Sequence, residues 1–188
     1  LSLVRAGLAD QAPVSSVAAV ANRSGRLVRS AVEMSEHATF VDRAVSTDLT
    51  DASRSHISYY DYGQMLALAL DLSLRSRTGG RRSLDDFMRR LWQDHGRQPP
   101  SRPGYVNRPY TLMDLRAALV EVSGDRRFAD EFFDRYIEGR DFPDFPILLG
   151  PAGFVVQSMA PGRGWIGDVP VAAAAGGLVV GRGRGGAT

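Results

Sequence analysis

Apolar residues are densest between His56 and Trp92, in the string HISYYDYGQMLALALDLSLRSRTGGRRSLDDFMRRLW. From Tyr60 onward, Met65, Leu66, Leu68, Ala69, Leu70, Leu72 and Leu74 fall on more than one face of a helical period. A helix that is apolar nearly all round is buried inside a larger body. Leu, Ala, Met and Gln favour helix, and no proline interrupts the run. Arg75, Arg77, Gly79 and Gly80 predict its stop, with positive charge at the helix C-terminus and glycine at the left-handed exit. Ser83 followed by Asp85 and Asp86 predicts the next start. Phe87 and Leu91, with Met88 and Trp92, form the expected inner stripe of that shorter helix.

The flanking sequence continues the helical pattern. Val14 to Asn22 predicts a short helix with Pro13 near its first turn, and a turn follows at Gly25. Ala31, Met34, Ala38 and Val41 give helical spacing between Ser30 and Val45. Ser46 to Ser55 is polar and reads as a loop. The proline-rich run from Gly96 to Pro109 reads as a surface loop without secondary structure. Thr111 and Asp114 form a capping-box-like start. Leu115, Ala118, Leu119 and Val122 face inward until Gly124. Phe128, Phe132, Phe133, Tyr136 and Ile137 stripe one further helix, closed by Gly139. After Ala152 the texture becomes β-like at Phe154 to Gln157, Trp165 to Val171 and Leu178 to Val180. The tail GRGRGGAT is low in complexity and is expected to be disordered.

Composition narrows the classes. With 188 residues the chain can bury one good core, or one core plus part of a second. It has no cysteine, which excludes disulfides, thiolate metal sites and a cysteine nucleophile and leaves the compartment open. No stretch reaches the roughly 18 apolar residues that span a bilayer. The net charge is +2, every basic residue except histidine is Arg, and the arginines are scattered, so no nucleic-acid partner is expected. Glycines in GPAG and GRGRGG match no phosphate-loop pattern with a following helix.

The central string closely resembles the glycyl aminopeptidases, zinc metallopeptidases with a thermolysin-like catalytic domain and a PDZ domain. The residues that carry the resemblance are Ser58, Tyr59, Tyr60, Gly63, Leu70, Asp71, Arg75, Gly79, Ser83, Leu84, Asp85, Asp86, Met88 and Trp92. Tyr62 stands where the family often has Lys, so the resemblance does not extend to a role for that ammonium. The order from Tyr110-Thr111 through Phe132-Phe133 to Gly139 is also similar, as is Leu148-Leu149-Gly150. In the family, a string like Leu3 to Leu8 follows soon after the glutamate that is the third zinc ligand. The resemblance therefore implies a fragment that begins just downstream of the metal site. Gly177 to Val180 resembles the early strand of the PDZ domain, which is then truncated.

Candidate chemistry follows. A zincin needs H-E-x-x-H on a helix, so that both imidazoles share a face. His37, His56 and His95 do not have that spacing, and surface or capping roles suit them better. No zinc is expected to bind this fragment; the resemblance places zinc in the full-length parent. It also implies that Tyr60, three residues before Gly63, is the hydroxyl that stabilises the oxyanion when water attacks a peptide carbonyl. Tyr59 is the second catalytic candidate. Against this, both tyrosines suit amphipathic packing at a helix start. Asp71 and Arg75 suit an ion pair that orients the helix better than a clamp on a substrate carboxylate. Asp85 and Asp86 suit helix-start electrostatics better than acid–base work.

The expected fold is mainly α: the C-terminal helical half of a thermolysin-like domain over 1–150, then a short β segment and tail over 151–188 that begins a PDZ-like domain. The expected function is part of a zinc-dependent aminopeptidase that releases N-terminal glycine, less readily alanine, from peptides. Its partners would be the peptide substrate and the upstream part of the same catalytic domain. The alternative is a non-catalytic peptide-binding or scaffold protein that keeps the helical lobe and part of a PDZ domain.

Overall fold

The structure is a computed structural model. It describes residues 27–38, 57–97 and 99–156, together with Val17, Val20 and Ala21 and the backbone of 171–174 and 177–180. The expected turn at Gly25, the loop over 46–55, the first eight residues and the C-terminal tail lie outside these residues.

The chain is mainly helical. The α-helices among the described residues are α1 (Ala31–His37), α2 (Tyr59–Thr78), α3 (Leu84–Leu91), α4 (Leu112–Ser123), α5 (Arg126–Phe132) and α6 (Phe145–Leu149). Wider π turns continue α3 over Trp92–Gly96 and α5 over Phe133–Ile137. Val17, Val20 and Ala21 are helical, as the pattern around Pro13 predicts.

Helix α2 is the axis of the lobe and touches α1, α3, α4 and α6. Its apolar residues face several neighbours at once, which is why the pattern wraps the helix. Met65, Ala69 and Leu74 are fully buried. They share one core with Leu119 of α4, Ala129 and Phe132 of α5, and Phe145 and Leu149 of α6. The exit is as the sequence predicts. Gly79 has φ of 61°, and both Gly79 and Gly80 donate backbone hydrogen bonds to the Arg75 carbonyl. Thr78 strengthens the end: its hydroxyl donates to Leu74 O and accepts from the Arg82 N–H.

Capping boxes start three helices. Ser30 pairs with Glu33, Ser83 with Asp86 and Thr111 with Asp114. Charged pairs also link the elements at the surface. Arg90 meets Glu121 across α3 and α4 at 2.8 Å. Arg77 meets Asp125 at 3.3 Å while its guanidinium lies over the Phe128 ring. Arg116 of α4 reaches Asp130, Asp134 and Glu138, an acidic stripe along α5 and its π turn. Gly139 closes that turn because a Cβ there would run into the carbonyl oxygens of Asp134 and Arg135.

Several expectations need correction. Helix α1 is described over Ala31–His37, and the part of the expected helical run from 39 to 45 lies outside the described residues. Met88 and Trp92 do not join the inner stripe of α3. Both are exposed, because Phe87 and Leu91 one step behind them take the inward face. The Phe128 to Ile137 stripe is α5 plus a π turn rather than one regular helix. Phe154 to Val156 is exposed and forms no strand, since no described strand pairs with it. The β structure among the described residues is an antiparallel pair, β1 (Val171–Ala174) and β2 (Gly177–Val180), with Val171 opposite Val180. Of the expected Trp165 to Val171 strand, only Val171 lies within the described residues.

Candidate functional site

The tyrosine cluster sits on the first turn of α2. Successive helical residues point about 100° apart, so neighbours in sequence face different surroundings. Tyr59 is half-buried and packs against the core. Tyr60 points outward and is 67% exposed. Tyr62 points inward and is 1% exposed. The rings of Tyr59 and Tyr60 lie 4.3 Å apart between centroids, tilted by 34°. Among the described residues the Tyr60 hydroxyl makes no hydrogen bond, so its O–H is free to donate outward. The turn itself is held by the backbone, with the Tyr62 N–H donating to Ser58 O at 3.0 Å. Asp61 adds negative charge in the first turn, which suits the positive end of the helix dipole.

Tyr62 is the residue whose position the sequence pattern did not bring out. Its hydroxyl is buried and has no hydrogen-bond partner among the described residues. Burial alone pushes that phenol above its ordinary value of 10.0. The signal was present in the spacing, since Tyr62 precedes buried Met65 and Leu66 by three and four residues.

Asp71 and Arg75 form the expected ion pair, with Nε donating to Oδ2 at 2.8 Å. The hydrogen bond to Asp71 pushes the Arg75 guanidinium pKa up. The other Asp71 oxygen accepts the Leu84 N–H at 2.8 Å. Both oxygens are thus engaged within the fold. Asp86 is bound into the start of α3 by the N–H and hydroxyl of Ser83. Burial pushes this carboxyl up, but the bonds from Ser83 and the nearby Arg89 and Arg82 outweigh it and leave it below 3.8.

The histidines are separated. His95 Nδ1 lies 3.1 Å from the Arg108 carbonyl oxygen, which can only accept, so Nδ1 carries the proton. Its ring meets Tyr110 edge-on at 6.0 Å. His37 ends α1, and His56 lies outside the described residues. Among the described residues, no group of three or more His, Cys, Asp or Glu could hold a metal ion. A shallow depression on α5 and its π turn is lined by Arg126, Arg127, Asp130, Glu131, Asp134 and Arg135, and does not include Tyr59 or Tyr60. Among the described residues, no helix is long and apolar enough to cross a membrane.

No protein-family model matches the chain, and no curated protein matches it.

Proposed function

We infer that this chain is the helical part of a zinc-dependent aminopeptidase that releases N-terminal glycine, and less readily alanine, from peptides. In this reading it is the C-terminal helical half of a thermolysin-like domain followed by the beginning of a PDZ-like domain. One observation carries the reading. Tyr60 stands three residues before Gly63, at the spacing of the family's donor, and it is the exposed member of its cluster. The Tyr59 ring lies beside it, 4.3 Å away between centroids.

The chemistry asked of Tyr60 is limited. A phenol O–H donates a hydrogen bond to the carbonyl oxygen of the scissile peptide as that oxygen becomes negative. The donor must sit on a rigid element, and the buried remainder of α2 supplies one. Zinc ligands and the general base belong to the preceding part of the same catalytic domain. The metal, once bound there, would supply the attacking hydroxide.

The test is glycine release from glycyl peptides by the protein translated from the full reading frame that contains this chain. The expected result is release that stops on chelation and returns with zinc. A zinc-loaded protein that releases no amino acid but binds peptides would replace the reading with that of a peptide-binding protein.

A further inference from the structure

From Gly96 to Met113 the chain carries Arg97, Arg102 and Arg108 and no acidic residue. Every described residue from 96 to 111 is exposed. None of the three guanidinium groups is in an ion pair among the described residues, unlike Arg75, Arg90, Arg116 and Arg135. Among the described residues the positive charge of this loop is therefore uncompensated locally, apart from Asp114, whose carboxyl is already bonded to Thr111.

The segment is the surface loop that the sequence predicts, and it is held in shape by its own hydrogen bonds. Asn107 donates from Nδ2 to Pro99 O at 2.7 Å, and its Oδ1 accepts from the N–H and hydroxyl of Ser101, each at 2.8 Å. Pro103 and Gly104, the latter at φ of 80°, form the tip of a turn closed by the Tyr105 N–H donating to Arg102 O. The His95 ring ties Arg108 and Tyr110 to the π turn that carries Trp92. Along the same stretch and on the π turn before it, Trp92, Tyr105, Val106, Tyr110 and Met113 are exposed, and Arg102 lies over the Tyr105 ring.

Trp, Tyr, Met and Arg are the side chains enriched where proteins bind one another, and Asp, Glu and Lys are depleted there. A pre-shaped loop loses little freedom on binding. We propose that this loop, together with Trp92, is a docking surface for an acidic protein segment in which carboxylates alternate with apolar side chains. The carboxylates meet Arg97, Arg102 and Arg108, and the apolar groups cover Trp92, Val106, Tyr110 and Met113. Single-stranded nucleic acid suits the surface less well. It needs open aromatic faces along a basic groove, whereas the Tyr105 ring is already covered on one face by Arg102 at 4.8 Å. The proposal does not depend on the peptidase reading.

The test is fluorescence anisotropy with the full chain and a short labelled peptide alternating Glu with Phe and Leu. The controls are the same peptide with Lys for Glu, and labelled oligothymidylate. Binding of the Glu peptide alone is expected. The triple variant Arg97→Glu, Arg102→Glu, Arg108→Glu should weaken it at least about tenfold, as should the pair Trp92→Ala, Tyr110→Ala. Circular dichroism checks that both variants keep the helical fold. Failure of the wild-type chain to bind the Glu peptide, equal binding by the charge-reversed variant, or tighter binding of oligothymidylate would each overturn the proposal.

Discussion

Asp71 Oδ1 accepts the backbone N–H of Leu84 at 2.8 Å, thirteen residues further along the chain. The contact ties the middle of α2 to the first residue of α3 across the glycine turn. Asp71 is buried, whereas the Arg75 side chain that shares its other oxygen is 41% exposed. Removing the two partners should therefore have unequal effects. Asp71→Ala leaves a helix-start N–H without its acceptor and should cost about 1–3 kcal/mol. Arg75→Ala removes a half-exposed partner and should cost under about 1 kcal/mol. Urea denaturation of the two variants measures the difference, and equal losses would show that the Leu84 bond contributes little.

Tyr62 gives a prediction of the opposite sign. Its buried hydroxyl has no partner among the described residues, so it carries a desolvation penalty without a compensating bond. Tyr62→Phe keeps the ring and removes that penalty. The variant should be as stable as the wild type or more stable by about 1 kcal/mol. A loss of that size in the denaturation midpoint would mean that the hydroxyl is hydrogen-bonded in solution.

Acid sensitivity should arise from the helix starts. Arg140, followed by the Ser30 N–H, holds the Glu33 carboxyl below 4.5. The Thr111 hydroxyl, then its N–H, holds Asp114 below 3.8. Asp86 is lowered as well, despite its burial. A carboxyl lowered in the folded state contributes stability that is fully present above its unfolded pKa. That contribution is lost as pH falls through the folded value. Melting temperature should hold between about pH 7 and pH 5 and fall below about pH 4. In Asp114→Asn the fall should be shallower, because one of the linked groups no longer titrates. An identical acid profile for the variant would contradict this origin.

What the sequence made legible was local. Ser83 with Asp86, Thr111 with Asp114, and the arginines before Gly79 announce helix ends through bonds made within a few residues. Ser30 with Glu33 carries the same pattern. The all-round apolar pattern of α2 rightly placed it at the centre of the core. What escaped depends on partners distant in sequence. Arg116 finds its acids fourteen to twenty-two residues away. Asn107 shapes the proline-rich loop from eight residues beyond Pro99. The two π turns occur in segments whose composition is ordinary for a helix. At the candidate site, the choice of Tyr60 came from the family resemblance, which points to the tyrosine three residues before Gly63. Its outward direction, and the inward one of Tyr62, are set by the packing of α2.

The measurement that bears most directly on the central claim is kcat for glycine release by the full-length protein, wild type against Tyr60→Phe, with zinc content determined on both. The oxyanion-donor role predicts that kcat falls by about a hundredfold or more, while zinc content and the melting temperature stay the same. An unchanged kcat in a variant with full zinc would contradict the role assigned to Tyr60.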